Sequence, residues 1–250
     1  MAVRAAVISG YGINCDYETM HAFELAGAKP ERVHVSDLAA KRLDDYQILA
    51  LPGGFSFGDD IASGKMLAQK IKAVAGAQID KFVAEGKLVI GICNGFQAMS
   101  RYALLPELGE QKFTLTFNDS GRFEDRWVRL KPEGKCVWLE GIEELYLPVR
   151  HGEGKLVAPP AVIKDMEKRG LVALRYTSTG GKKPKYPDNP NGSTNDIAGL
   201  CDPTGRVFGL MPHPEGHLYR TNHPRWTRGE QSTLGLEVFK NAVRFAEEKL

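Results

Sequence analysis

Apolar residues along this chain recur with two alternating periods. Val3–Ser9 is a short apolar run, as for a first strand. Asp16–Ala28 follows with Tyr17, Met20 and Phe23 at helical spacing and Gly27 near its end. Val33–Ser36 and Gln47–Leu51 read as the next strands, the latter stopped by Pro52-Gly53-Gly54. A long helix is expected over Ile61–Ala84, with Asp59 or Asp60 as its cap. Leu88–Ile92 is apolar throughout, the mark of a central parallel strand, and Gly95–Leu105 reads as the helix after it. Strands alternating with helices predict βαβ units, hence an α/β fold with an open, mostly parallel sheet flanked by helices.

The middle of the chain breaks this rhythm. Phe113–Phe117, Arg126–Leu130, Val137–Leu139 and Leu145–Val149 are short strand candidates with little helical spacing between them. They predict a strand-rich section that pairs antiparallel or extends the sheet at its edge. Gly180–Ser193 is dense in Gly, Pro and Asn and reads as a loop, with Lys182, Lys183 and Lys185 on a solvated tip. Regular patterning returns with the strand candidate Val207–Met211. The amphipathic helix Leu236–Leu250 follows, with Leu236, Phe239, Val243 and Ala246 on one face. No internal repeat is present, and one domain over residues 1–250 is expected.

Composition narrows the classes. With 42% hydrophobic and 26% charged residues, 250 residues can bury a full core. A net charge of +2 gives no reason to expect nucleic acid or an anionic membrane as partner. No stretch approaches the roughly 18 apolar residues a membrane span needs. The opening MAVRAAVISGYG is too soon interrupted for a signal peptide. Cys15, Cys93, Cys136 and Cys201 are widely spaced, so a reduced, cytoplasmic setting is expected. The sequons at Asn118 and Asn191 are then inert.

Candidate chemistry centres on Gly91-Ile92-Cys93-Asn94-Gly95, between an apolar strand and a helix. It is the thiol counterpart of the G-x-S-x-G nucleophile elbow, whose sharp turn requires both glycines. The turn sets Cys93 at a helix N-terminus, where dipole and free amides favour a thiolate. A small buried structural cysteine fits this pentapeptide equally well. Gly53-Gly54 leaves backbone N–H groups uncovered, and the amides of Gly54 and Asn94 together suit an oxyanion hole, although a plain turn also explains the glycines. In His213-Pro214-Glu215, extended backbone would turn residues i and i+2 the same way, so Glu215 can hold the His213 imidazole as the third member of a triad.

Other patterns fail. Gly58 to Gly64-Lys65-Met66 is one residue too long for a P-loop and lacks its Ser/Thr. Gly10-Tyr11-Gly12 lacks the third glycine of a dinucleotide fingerprint, because Cys15 stands there. His213 and His217 are four apart, but Pro214 and Gly216 argue against a helical metal pair, and no cysteine ligand is expected beside them. No metal site is therefore expected.

At Gly91–Gln97 the sequence GICNGFQ resembles the elbow G-x-C-x-G-x-Q of class I, triad-type glutamine amidotransferases. Within them it is similar to the glutaminase subunits of phosphoribosylformylglycinamidine synthase. The likeness rests on LPGGFSFGDD (51–60), FNDSGRFEDRW (117–127), PVRHGEGK (148–155), NPNGS (189–193) and MPHPEGH (211–217). The resemblance implies a flavodoxin-like three-layer fold and a catalytic triad of Cys93, His213 and Glu215. It also implies that Gln97 helps hold the glutamine, with Gly53, Gly54 and Asn94 around the oxyanion. It implies L-glutamine as substrate and a synthetase subunit as partner, with or without a small third subunit. No cofactor is implied on this chain, and ATP and Mg are expected on the synthetase. The HGEG and NDSGRF segments are expected near the glutamine pocket or the synthetase contact, without individual roles. The chain looks longer than many free-standing subunits, with the excess expected near residues 180–193.

Overall fold

The structure, a computed structural model, describes residues 2–59, 61–180 and 182–250. Five strands run parallel: β1 (Arg4–Ser9), β2 (Lys29–His34), β3 (Ile48–Leu51), β4 (Leu88–Ile92) and β11 (Val207–Leu210), in the order β2-β1-β3-β4-β11. The sheet continues through β10 (Ile197–Cys201), β9 (Val172–Thr177), β6 (Glu124–Pro132) and β7 (Leu145–His151), each antiparallel to its neighbour. Two short strands, β5 (Thr114–Thr116) and β8 (Lys155–Val157), form a separate antiparallel pair. The sheet is therefore mixed, with the antiparallel extension expected of the strand-rich middle.

Helices α1 (Asp16–Leu25) and α5 (Leu236–Lys249) pack together, with Phe23 and Phe239 edge to face at 5.0 Å. On the other face α2 (Lys65–Ala84) packs against α3 (Asn94–Tyr102), as right-handed crossovers in opposite directions require. The apolar stripe expected of the last helix is buried at Leu236, Phe239, Val243 and Ala246. A further helix, α4 (Pro160–Lys168), buries Ile163 and Met166. Among the described residues no helix is long and apolar enough to cross a membrane.

Several boundaries differ from the sequence expectation. The second strand is Lys29–His34 rather than Val33–Ser36, because β1 pairs with it from Arg4↔Lys29 onward. Helix α2 starts at Lys65, not Ile61. Its N-cap is Gly64 in a left-handed conformation (φ 71°), where a Cβ would stand 2.5 Å from the Ala98 nitrogen. Asp59 does not cap this helix, and Asp60 lies outside the described residues. Val137–Leu139 is a 3-10 turn instead of a strand. The Trp138 indole donates to the Arg206 carbonyl at 2.9 Å, burying the ring where a strand would turn alternate side chains out. The loop 180–193 divides: Lys182, Lys183 and Lys185 are exposed, but Asn189–Asn191 and Ser193 are buried.

The parallel half positions the site. Register pairs Leu51 with Gly91 and Leu210 with Ile92, so the chain leaves β3, β4 and β11 at one carboxyl edge. That edge is where open α/β sheets bind ligands.

Candidate active site

Cys93 follows β4 directly and caps α3 at φ 50°, ψ −106°, a strained conformation for a residue with a side chain. The strain is held from both ends. The Cys93 amide donates to the Leu210 carbonyl at 2.8 Å, and the Gln97 amide donates to the Cys93 carbonyl at 3.0 Å. A Cβ on Gly95 would fall 1.8 Å from the Leu51 carbonyl oxygen, and one on Gly91 would fall 2.2 Å from the Met99 sulfur. Both glycines of the elbow are therefore dictated by close approach, as the sequence argument requires. The Cys93 thiol is 3.6 Å from the Arg150 carbonyl oxygen.

The structure brings His213 and Glu215 to the same edge. Their geometry differs from the extended segment expected: residues 214–216 form a 3-10 turn, and only His213 is extended. The turn folds the Glu215 carboxylate back, so that it accepts from His213 Nδ1 at 2.5 Å. Both residues are buried, and among the described residues His213 Nε2 has no hydrogen-bond partner. Burial opposes charge on this ring, yet the carboxylate of Glu215 and the nearby Cys93 sulfur hold its pKa well above the ordinary histidine value. The arrangement suits an imidazolium with its Nδ1 proton committed to Glu215 and Nε2 left for transfer.

A cavity of about 140 Å³ opens beside Cys93. Its volume equals only a few waters at about 30 Å³ each, the scale of one small molecule. Gly54 and Phe55 line it from the loop after β3, and Cys93 and Gln97 from the elbow. Phe117, Phe123 and the segment Arg150–Glu153 close the opposite wall. The NDSGRF and HGEG segments thus meet at the cavity. Gln97 donates to the Glu153 carbonyl and accepts from Asn94 Nδ2 at 2.9 Å. The Asn94 side chain also joins Asp59 and the Ser56 amide, so it organises the wall without lining it.

For the oxyanion donors, the Gly54 pairing with Ile13 is bonded through Asn14, Gly53, Gly12 and Phe55, and leaves the Gly54 amide free of that pairing. The Asn94 amide is in the first turn of α3, where no carbonyl four residues back lies within the helix. Gly53 differs from its neighbour. Its carbonyl accepts from the Asn14 and Cys15 amides, and it lies beneath the His213 ring instead of on the cavity wall.

Two nearby residues escaped sequence reasoning. Cys15, at the start of α1, shares a cluster with His213 and Glu215 whose donor atoms lie within 4.8 Å of one another. This corrects the expectation that no cysteine ligand accompanies His213 and His217. Burial pushes the Cys15 thiol up, so it is a protonated neighbour of the imidazole. His217 does not join the cluster; its Nδ1 bonds the Tyr146 carbonyl and its ring meets Trp127 edge on. His151 is also buried, and burial pushes its pKa down to about 3. Both ring nitrogens are occupied, by Asn118 and Asn191, which leaves His213 as the ring with a free nitrogen here.

Comparison with known proteins places the chain in a family. Residues 2–246 match the model of the CobB/CobQ-like glutamine amidotransferase domain. The chain is 46% identical to phosphoribosylformylglycinamidine synthase subunit PurQ of Dehalococcoides mccartyi, covering 98% of each. It is 41% identical to the subunit of the same name in Methanococcus maripaludis, covering 97% of each. Among solved structures, PurLQS from Thermotoga maritima contains a chain that superposes with a TM-score of 0.77 at 32% identity, covering 98% of this chain and 99% of that one. The glutaminase domain of Trypanosoma brucei CTPS, with a TM-score of 0.59 and 15% identity, shares the fold, covering 99% and 95%. The chain therefore belongs to the CobB/CobQ-like glutamine amidotransferase family and, within it, to the family of phosphoribosylformylglycinamidine synthase subunit PurQ.

Proposed function

We propose that this chain, acting as a single domain, is the glutaminase subunit of a phosphoribosylformylglycinamidine synthase. It hydrolyses L-glutamine and passes ammonia to a synthetase subunit. The observation that carries the reading is the strained Cys93 elbow beside the buried His213–Glu215 pair, in a chain 46% identical to a PurQ subunit.

The Cys93 thiolate attacks the side-chain amide carbon of glutamine. Amides of Gly54 and Asn94 stabilise the tetrahedral oxyanion. His213 gives its Nε2 proton to the departing nitrogen, the C–N bond breaks, and a γ-glutamyl thioester remains on Cys93. Water attacks that thioester with His213 taking its proton; glutamate leaves and the thiolate returns. Glu215 holds the ring and its charge throughout. Gln97 orients the glutamine within the cavity, and Gly53 seats the imidazole.

Ammonia released into neutral water would be protonated and lost as a nucleophile, so it must pass directly to the partner. That partner converts formylglycinamide ribonucleotide to formylglycinamidine ribonucleotide, with ATP and Mg bound there. The work belongs to the cytoplasm. In the complex reconstituted with the cognate synthetase, Cys93→Ala should abolish glutamine-dependent synthesis and leave ammonia-dependent synthesis intact. Loss of both activities, or of neither, would overturn the reading.

A further inference from the structure

Three polar segments far apart in sequence converge on one asparagine. Asn118 is buried, and its amide makes four hydrogen bonds, its full capacity. Nδ2 donates to the carbonyls of Arg122 at 2.8 Å and His151 at 2.7 Å. Oδ1 accepts from the Gly154 amide at 3.0 Å and from His151 Nδ1 at 3.1 Å. The Asn118 backbone amide donates to the Gly152 carbonyl at 2.9 Å. One residue thus grips the turn 151–154 at four points.

The far side of His151 is held as well. Its Nε2 accepts from Asn191 Nδ2 at 3.5 Å, and the same amide reaches the Tyr176 hydroxyl at 3.0 Å. Asn191 also accepts from the Ser193 amide at 3.0 Å, and the Ser193 hydroxyl donates to the Gly154 carbonyl at 3.3 Å. A neutral imidazole is required, with its proton on Nδ1, and burial keeps it neutral.

The gripped turn belongs to the wall facing the thiol. The carbonyl of Arg150, just before it, faces Cys93 Sγ, and the carbonyl of Glu153, within it, accepts from Gln97 Nε2. A fully satisfied buried network selects one conformation, because any other strands polar groups away from water. An apolar core under this turn would not fix the direction of two carbonyls.

We propose that Asn118, backed by His151 and Asn191, is the positioning residue of the glutamine pocket. It sets the Arg150 and Glu153 carbonyls that place Cys93 and Gln97 on the substrate. This rests on the glutaminase reading above. It gives the NDSGRF, HGEG and NPNGS segments one shared task.

The test uses the complex reconstituted with its synthetase. Asn118→Asp keeps the size but turns an oxygen toward the Arg122 and His151 carbonyls. The expected result is a rise in KM for glutamine of about 10–100-fold, the usual scale for losing an orienting partner. Ammonia-dependent synthesis should stay at the wild-type rate. Iodoacetamide, which needs no glutamine pocket, should still alkylate Cys93, while a glutamine-like chloroketone should label it far more slowly. If the folded variant keeps the wild-type KM for glutamine, the proposal fails, whatever the change in thermal stability. If Asn118→Asp does not fold, Tyr176→Phe decides. That variant removes only the hydroxyl that steadies Asn191, and should raise KM by about 2–5-fold, below that scale because it acts one bond further out. An unchanged KM there overturns the proposal. Glutamine-dependent synthesis surviving Cys93→Ala would sink the glutaminase reading itself, and is scored separately.

Discussion

A methyl group on Gly53 would stand 2.8 Å from Cε1 of His213. The imidazole therefore rests on a bare backbone, with Cys15 on the same side, where a Cβ at Gly53 would meet its sulfur at 3.3 Å. Gly53→Ala should push the ring away from Cys93 while leaving the strand before it intact. A fall in kcat of at least about 100-fold is expected, as for misplacement by about 1 Å. Unchanged near-UV circular dichroism should accompany it, and wild-type turnover would contradict this seat for His213.

Glu215 sets the charge of His213, so the carboxylate should be visible in the pH profile. With the folded pKa raised, the imidazolium persists as pH rises past the ordinary histidine value of about 6.5. Glu215→Gln removes the group that raises it. The alkaline limb of kcat/KM for glutamine should move to lower pH, and turnover should fall by about 10³–10⁴-fold. An unmoved limb would mean that another group titrates there. The same raised pKa stabilises the fold below the unfolded value, an increment lost as pH climbs through the folded one.

His151 carries the opposite linkage. Its pKa is pushed down to about 3, so the folded state binds fewer protons than the unfolded chain between that value and about 6.5. This contribution is complete above pH about 6.5 and drains away as pH falls, by up to about 1.4 kcal/mol per pH unit. Urea unfolding between pH 7 and 4 should show that slope in the wild type, and His151→Gln should flatten it. A parallel slope in both proteins would contradict the assignment.

Phe117, Phe123 and Phe55 line the cavity beside Cys93 yet are 69%, 52% and 44% exposed. If this cavity releases ammonia as proposed, apolar surface around its mouth is what a synthetase must cover to keep water out. The double variant Phe117→Asp with Phe123→Asp should weaken association with the synthetase by about tenfold or more in titration calorimetry. Alkylation of Cys93 by iodoacetamide, which needs no glutamine pocket, should persist in the free subunit. Equal affinity would place the contact elsewhere.

The parallel half of the fold was legible because β4 is apolar on both faces and the elbow glycines, Gly91 in β4 and Gly95 in α3, answer to close contacts at Met99 and Leu51. The residues proposed as a triad stood out for the same local reason: a strained elbow and a His-Pro-Glu turn each leave a short motif. What escaped has no local signature. Strands β8, β9 and β10 owe their existence to partners distant in sequence, whereas β5 falls within the expected run Phe113–Phe117. The placement of Cys15 depends on the pairing of Ile13 with Gly54, which no pattern in residues 10–16 announces. Asn118 and Asn191 looked like idle sequons; their meaning lies in the histidine between them.

The hydrogen bond from the Cys93 amide to the Leu210 carbonyl has a consequence for the nascent chain. The strand that fixes the elbow, and the histidine just beyond it, emerge from the ribosome long after the thiol does. A chain released only as far as β10 holds Cys93 without the residue proposed as its base and without the carbonyl that anchors the turn. On the proposed reading the nucleophile is therefore complete only once β11 and His213 have been made. A product truncated before them would keep the cysteine and consume no glutamine.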